Sequence, residues 1–273
     1  MKIQRHLAVH CLILYLITAS LSAATVDGME LHSSTAGTGP RTVILVHGWT
    51  CDESTWEFQV PELSQHYRVI TLDLPGHGKS GSPADGELSM DLFARAIEAV
   101  RSEAQIDRVV LAGHSMGTPV IIQYARLYPQ HSLALVLVDG PVALPQNLPL
   151  AELFAGPDGL KAREDLIRSM FSPSTTAEIQ GHILSMMLGA AEATAVGAMK
   201  AGRDPAIWKQ DVFTQPVLGL YAYSSTMADR EYMNIRFPNL EYFQIPGTGH
   251  FLMLEKPEEF NRLLLVFLDK LWF

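Results

Sequence analysis

Short apolar runs alternate with amphipathic stretches along most of the chain. The runs TVILVH (42–47), YRVITLD (67–73), RVVLAG (108–113), LALVLVD (133–139), PVLGLYAY (216–223) and EYFQIP (241–246) are mostly rich in Val, Ile, Leu and aromatic residues. Near-continuous runs of this length predict strands of a parallel sheet, covered on both faces. Between them, MDLFARAIEAVRSEA (90–104) has apolar residues at helical spacing, and so does MGTPVIIQYARLYP (116–129), which stops at Pro129. PEEFNRLLLVFLDKLWF (257–273) predicts an amphipathic closing helix. The alternation predicts an α/β protein with a mostly parallel central sheet and crossover helices.

One region departs from this rhythm. From about Pro141 to Asp211 there is no good strand, only helical pieces such as GLKAREDLIRSMF and AEIQGHILSMMLGAAEATAVGAMKAG. This predicts a helical lid, residues 141–211, inserted into a core made of 25–140 and 212–273 and lying over the carboxyl edge of the sheet. Met170, Met186, Met187 and Met199 would suit a flexible apolar pocket wall, or else fill a small core within the lid itself.

The N-terminus follows a third pattern. Lys2 and Arg5 precede the apolar run Leu12 to Ile17, and Ser22 and Ala24 stand at minus three and minus one of a cut after Ala24. Residues 1–24 therefore read as a secretory signal peptide, giving a periplasmic or secreted protein. An uncleaved anchor is the alternative, but the run is short for a membrane span, and no later segment is long and apolar enough to cross a bilayer. Removing the segment leaves Cys51 without Cys11, so export implies no internal disulfide here. The formal charge of −9 argues against nucleic acid as a partner, which would need a basic face. With 273 residues, 48% of them hydrophobic, the chain suits one large domain or a domain with an inserted lid.

The chemistry gathers around GHSMG (113–117), set between the run 108–113 and the helix that follows. A serine hydroxyl is a weak nucleophile until a base takes its proton. A strand, a tight turn and a helix expose Ser115 at a sharp bend, with Gly113 and Gly117 leaving room for crowded backbone. The same turn aims backbone N–H groups at developing negative charge.

With these residues the chain resembles the α/β-hydrolase superfamily over nearly all of the segment after residue 24. ILVHGWT looks like its first oxyanion segment, LDLPGHGKS (72–80) like the turn typical after the fourth strand of these enzymes, and GTGHFLMLEKPEEF like the loop that carries the catalytic histidine. The resemblance implies an α/β-hydrolase fold with the lid inserted after strand six. It implies Ser115 as nucleophile and His250 as base, with the backbone N–H groups of Trp49 and Met116 as oxyanion donors. His47, His77 and His114 fall in structural turns of these motifs. His32, His66, His131 and His182 read as surface or packing residues.

The triad acid departs from the pattern. Many relatives carry it just beyond the strand PVLGLYAY, where this chain has Ser225, and serine cannot hold a charge beside an imidazolium. Asp229, a few residues later, is one candidate. Asp139, at the end of LVLVD, is favoured because some branches, the haloalkane dehalogenases among them, place their acid there. Its bland reading is a turn cap ahead of Gly140 and Pro141.

No H-E-x-x-H, paired cysteines or glycine-rich phosphate loop appears, so no metal and no nucleotide cofactor is expected. The leading expectation is a serine hydrolase cleaving a small-molecule carboxylic ester or lactone through an acyl-serine. Two alternatives are carried with it. HGWTCDESTW is similar to the matching stretch of cofactor-independent oxygenases of this fold, which use a histidine–acid pair without an acyl-serine. A ligand-binding relative with little turnover is the other, since fold does not fix function.

Overall fold

The computed structural model describes residues 24–144, 150–227 and 229–271. The expected signal peptide lies outside these residues apart from Ala24, whose carbonyl accepts the Leu31 N–H at 2.8 Å. The strands are β1 (Thr25–Val26), β2 (Met29–Glu30), β3 (Ser33–Ala36), β4 (Thr42–Val46), β5 (Arg68–Leu72), β6 (Val109–His114), β7 (Ser132–Val138), β8 (Val217–Ala222) and β9 (Leu240–Ile245). The helices are α1 (Val60–Leu63), α2 (Met90–Glu103), α3 (Gly117–Leu127), α4 (Gly159–Ser169), α5 (Ala177–Gly189), α6 (Glu192–Arg203), α7 (Arg230–Arg236), α8 (Leu252–Glu255) and α9 (Pro257–Lys270).

A seven-stranded sheet runs in the order β3-β5-β4-β6-β7-β8-β9, while β1 and β2 pair as a separate ribbon. From β5 to β9 every neighbouring pair is parallel, and β3 joins β5 antiparallel at one edge. Every residue of β4, β6 and β8 is buried, the consequence of helices on both sheet faces. The continuous apolar runs mark these strands for that reason. β3 is SSTA, mostly exposed, and has no apolar signal by which it could be read.

Strand order reverses at β4: β5 lies on one side of it and β6 on the other. At such a switch the loops leaving neighbouring strands diverge and open a crevice at the carboxyl edge. The loop after β4 and the turn after β6 both leave from that point.

Among the described residues, the chain between β7 and β8 is helical, with α4, α5, α6 and two short 3₁₀ turns. The stretch 177–202 breaks in the middle rather than forming one helix. Ala190 and Ala191 are extended, and the axes of α5 and α6 differ by 92°. Arg163 stabilises the break: its guanidinium donates to Met187 O at 2.7 Å and Ala190 O at 2.9 Å, satisfying carbonyls at the end of α5. Two bonds tie α6 to the sheet edge, Trp49 Nε1 to Ala195 O at 2.8 Å and Thr194 Oγ1 to Gly76 O at 2.6 Å. The methionines differ in burial. Met187 and Met199 are buried in the hydrophobic core, whereas Met186 and Met170 each line an open cleft. No single helix among the described residues is long and apolar enough to cross a membrane.

Candidate active site

The turn after β6 holds Ser115 at φ 53°, a left-handed conformation that a non-glycine residue rarely adopts. Its N–H donates to Val138 O and its carbonyl accepts from Thr118 N, both at 2.9 Å, so sheet and helix together fix the bend. The flanking glycines are required by close approach. A Cβ on Gly113 would stand 2.3 Å from Gly117 O, and one on Gly117 would stand 2.5 Å from Val46 O. A side chain at Gly113 would push the start of α3 off β6, and one at Gly117 would push it off the end of β4.

β7 ends beside β6, with His114 paired to Val138, so Asp139 and Ser115 leave adjacent strands at the same level. Asp139 is also left-handed, at φ 41°. Its Oδ1 accepts the Ala222 N–H at 3.0 Å, and its Oδ2 meets His250 Nδ1 at 2.6 Å. Both side chains are almost fully buried, 4% and 7% exposed, which shields the pair from competing water. The proton on Nδ1 lies toward the carboxylate and leaves Nε2 with its lone pair free, the tautomer a general base needs.

Three further contacts hold His250, two of them to His114 of the elbow. His114 Nε2 donates to His250 O at 2.9 Å, and the two rings lie 4.7 Å apart. The His250 N–H donates to Met170 O at 3.0 Å. Burial first, then the neighbouring His250, pushes the His114 pKa well below its ordinary value, so His114 is a neutral donor.

Asp229 is placed elsewhere. It caps α7, its Oδ1 accepting from Glu231 N at 2.9 Å and Tyr232 N at 3.2 Å. Ser225 holds a local turn instead, with its N–H on Ala222 O at 3.0 Å.

The loop after β4 supplies the other side of the site. Gly48 lies against the elbow: a Cβ there would be 3.1 Å from Ser115 Cβ. Trp49 follows Gly48 and Met116 follows Ser115 in the chain, and among the described residues neither backbone N–H donates to a protein acceptor. His47 shapes this loop from below. Its Nε2 accepts the Leu74 N–H at 3.0 Å, so the proton must be on Nδ1, which donates to Gly48 O at 2.8 Å. Burial lowers its pKa and keeps it neutral. His77 donates from Nδ1 to Pro75 O at 3.0 Å. Cys51 is buried, and burial pushes its thiol up to about 12, the opposite of a reactive cysteine.

The remaining histidines are engaged away from the serine. His32 bonds Glu53 at 2.7 Å, and His131 Nδ1 bonds Asp107 O at 2.7 Å. His32, Glu53 and Asp73 bring possible ligand atoms within 4.8 Å of one another. Those atoms already serve a network: Lys79 Nζ lies 3.1 Å from Glu53 Oε1, and Asp73 accepts the Glu53 and Lys79 N–H groups, each at 2.8 Å. Burial opposes the charge on Glu53, but hydrogen bonds from Ser34, His32, Lys79 and Thr71 hold its pKa down at about 2.

Glu255, Ser172 and Tyr221, to which no motif assigns a role, join this site in the structure. Tyr221 OH donates to Gly140 O at 2.8 Å, supporting the turn that carries Asp139. The only signal for Glu255 was its presence within GTGHFLMLEKPEEF.

A family model described as the alpha/beta hydrolase family matches residues 43–263. The chain is 28% identical over 267 residues to the dihydrolipoyllysine-residue acetyltransferase component of an acetoin cleaving system from Pseudomonas putida, covering 86% of this chain and 65% of that protein. It spans 65%, 32% and 49% of the length of the first curated relatives it matches. A 2-hydroxy-6-oxononadienedioate/2-hydroxy-6-oxononatrienedioate hydrolase from Paraburkholderia phymatum is 26% identical over 274 residues, covering 89% of this chain and 92% of that one. Among solved structures, a thermophilic esterase from Thermogutta terrifontis aligns with a TM-score of 0.79 at 25% identity, covering 91% and 97% of the two chains.

Proposed function

The chain belongs to the alpha/beta hydrolase family, and on that premise we propose that it is a serine hydrolase cleaving a small carboxylic ester or lactone. The observation that carries this reading is the buried 2.6 Å contact between His250 Nδ1 and Asp139 Oδ2, beside a serine held in a left-handed elbow.

In the proposed reaction His250 Nε2 takes the Ser115 hydroxyl proton as Oγ bonds to the acyl carbon. The carbonyl π-electrons move to oxygen, where the Trp49 and Met116 N–H groups stabilise the charge. Collapse of this intermediate expels the alkoxide, which receives the proton from His250. Water, deprotonated by the same nitrogen, then attacks the acyl-serine and releases the acid and the serine hydroxyl. Asp139 remains ionised throughout, orienting the ring and stabilising the imidazolium. The likeness to the Thermogutta esterase supports the ester assignment.

The test is covalent labelling. A fluorophosphonate should form a stable adduct on Ser115, found by mass spectrometry of the labelled peptide, and Ser115→Ala should abolish both labelling and ester turnover. Ester hydrolysis persisting in Ser115→Ala would overturn the proposal, and oxygen uptake persisting with it would favour the oxygenase alternative.

The proposal includes export. Lys2, Arg5, the run Leu12 to Ile17 and the small residues Ser22 and Ala24 support removal of residues 1–24. N-terminal sequencing of the protein recovered from the periplasm or medium should begin at Thr25; a chain recovered there with Met1 intact would refute cleavage.

A further inference from the structure

His250 is anchored from separate parts of the fold. Asp139 holds its ring and His114 its carbonyl, and both belong to the sheet edge. Its N–H bonds Met170 O at 3.0 Å, and Met170 lies in the segment joining α4 to α5, inside the helical insertion. The base is thus gripped on one side by an element other than the sheet.

Glu255, the last residue of α8, closes this joint. Its Oε2 accepts the Gly249 N–H at 2.8 Å and the Ser172 hydroxyl at 2.9 Å, one donor from each segment. Ser174 Oγ adds a bond to Gly247 O at 2.6 Å, and Ser172 N–H is fixed by Thr175 Oγ1 at 2.8 Å. The surfaces meet without slack: a Cβ on Gly249 would stand 2.6 Å from Met170 O and 2.8 Å from Ser172 N. Hydrogen bonds to a carboxylate are the strong kind, and Glu255 Oε1 is buried with no protein partner. A carboxylate with one oxygen shared by two segments and the other buried acts as a joint between them.

Resting on the serine hydrolase reading, we propose that Glu255 is a positioning residue. Its carboxylate latches the Met170–Thr175 segment to the turn Gly247–His250, so that the base takes its working position only while the insertion is seated. Glu255 touches neither substrate nor the reacting atoms. It acts through Gly249 and Ser172, and its loss affects the rate of proton transfer more than binding.

The experiment measures p-nitrophenyl acetate turnover and the rate of Ser115 phosphonylation by a fluorophosphonate. It uses the full chain as wild type, Glu255→Ala, Glu255→Gln and Ser172→Ala. Glu255→Ala should lower kcat and the phosphonylation rate together, by about tenfold or more, with KM changing less than about twofold. Ser172→Ala should lower both by about three- to fivefold, and as the loss of one hydrogen bond it serves where Glu255→Ala does not fold. Glu255→Gln should lose less than Glu255→Ala, because its carbonyl oxygen can accept the same two donors although its amide nitrogen takes the buried Oε1 position. Wild-type rates in Glu255→Ala or Ser172→Ala would overturn the latch. So would losses confined to KM, or a Gln variant no better than Ala. Wild-type protein that is not phosphonylated at Ser115 would instead overturn the hydrolase reading on which the latch rests.

Discussion

Two buried imidazoles stand at different points of one sheet edge, and they are held for different chemistry. His47, after β4, has both nitrogens committed to backbone: Nδ1 donates to Gly48 O and Nε2 accepts from Leu74 N–H. His250, after β9, gives Nδ1 to a carboxylate, and among the described residues its Nε2 has no protein partner. A carbonyl partner stabilises an imidazolium weakly, and burial then keeps His47 neutral. In the proposed reaction a buried carboxylate supports the charge that develops on His250 as it takes the proton. The partners of a histidine, more than its depth, decide whether it braces a loop or moves a proton.

The largest effects should come from removing the reactive pair. Ser115→Ala or His250→Ala should lower kcat/KM for an ester by about 10⁴- to 10⁶-fold, measured against wild type with the fold checked by circular dichroism. If His250→Ala lost no more activity than His47→Phe, the contrast between the two rings would be broken.

Asp139→Asn comes next. It preserves size but offers the ring an amide, and kcat should fall by about 10³- to 10⁴-fold. Asp229→Asn, measured in parallel, should leave kcat within about twofold, since Asp229 serves the first turn of α7. The opposite order would assign the acid to Asp229.

Smaller effects test the structural side through pH. Burial, then neighbouring His47, pushes the His77 pKa down to about 3. In the unfolded chain it binds a proton near pH 6.5, so unfolding takes up a proton across the interval between. Stability contributed by neutral His77 is therefore full above about pH 6.5 and is lost as pH falls toward 3. Glu53, held at about 2, adds a loss in the same direction as pH falls from about 4.5. Thermal melts from pH 7 to 4 should show a falling Tm, and His77→Phe should remove up to about one proton from the slope. An unchanged slope would show that His77 is not neutral when buried. The smallest effect is Asp229→Ala, which should cost about 1 kcal/mol in urea melts through its lost cap while sparing turnover.

Legibility in the sequence followed the kind of force at work. Long-range packing leaves a periodic trace, so the runs that became β4 to β9 and the closing helix could be read directly. β3 could not, because SSTA is an edge strand recruited by backbone pairing with β5 rather than by burial. The break between α5 and α6 was equally hidden: it depends on Arg163, which lies far from the break in sequence. Ser115 and His250 were legible through local motifs. The choice between Asp139 and Asp229 stayed open because only three-dimensional contact distinguishes a carboxylate on an imidazole from one capping a helix. Glu255 was invisible for a related reason, since its second partner, Ser172, comes from the insertion.

The positive φ angles at Ser115 and Asp139 carry one more consequence. Glycine adopts such angles freely, whereas other residues spend about 1 kcal/mol or more to remain there. Ser115→Gly should therefore melt at a higher temperature than the wild type while losing its nucleophile. If the proposed role of Ser115 holds, the most durable version of this chain is an inert one, and the hydroxyl persists against the preference of its own backbone.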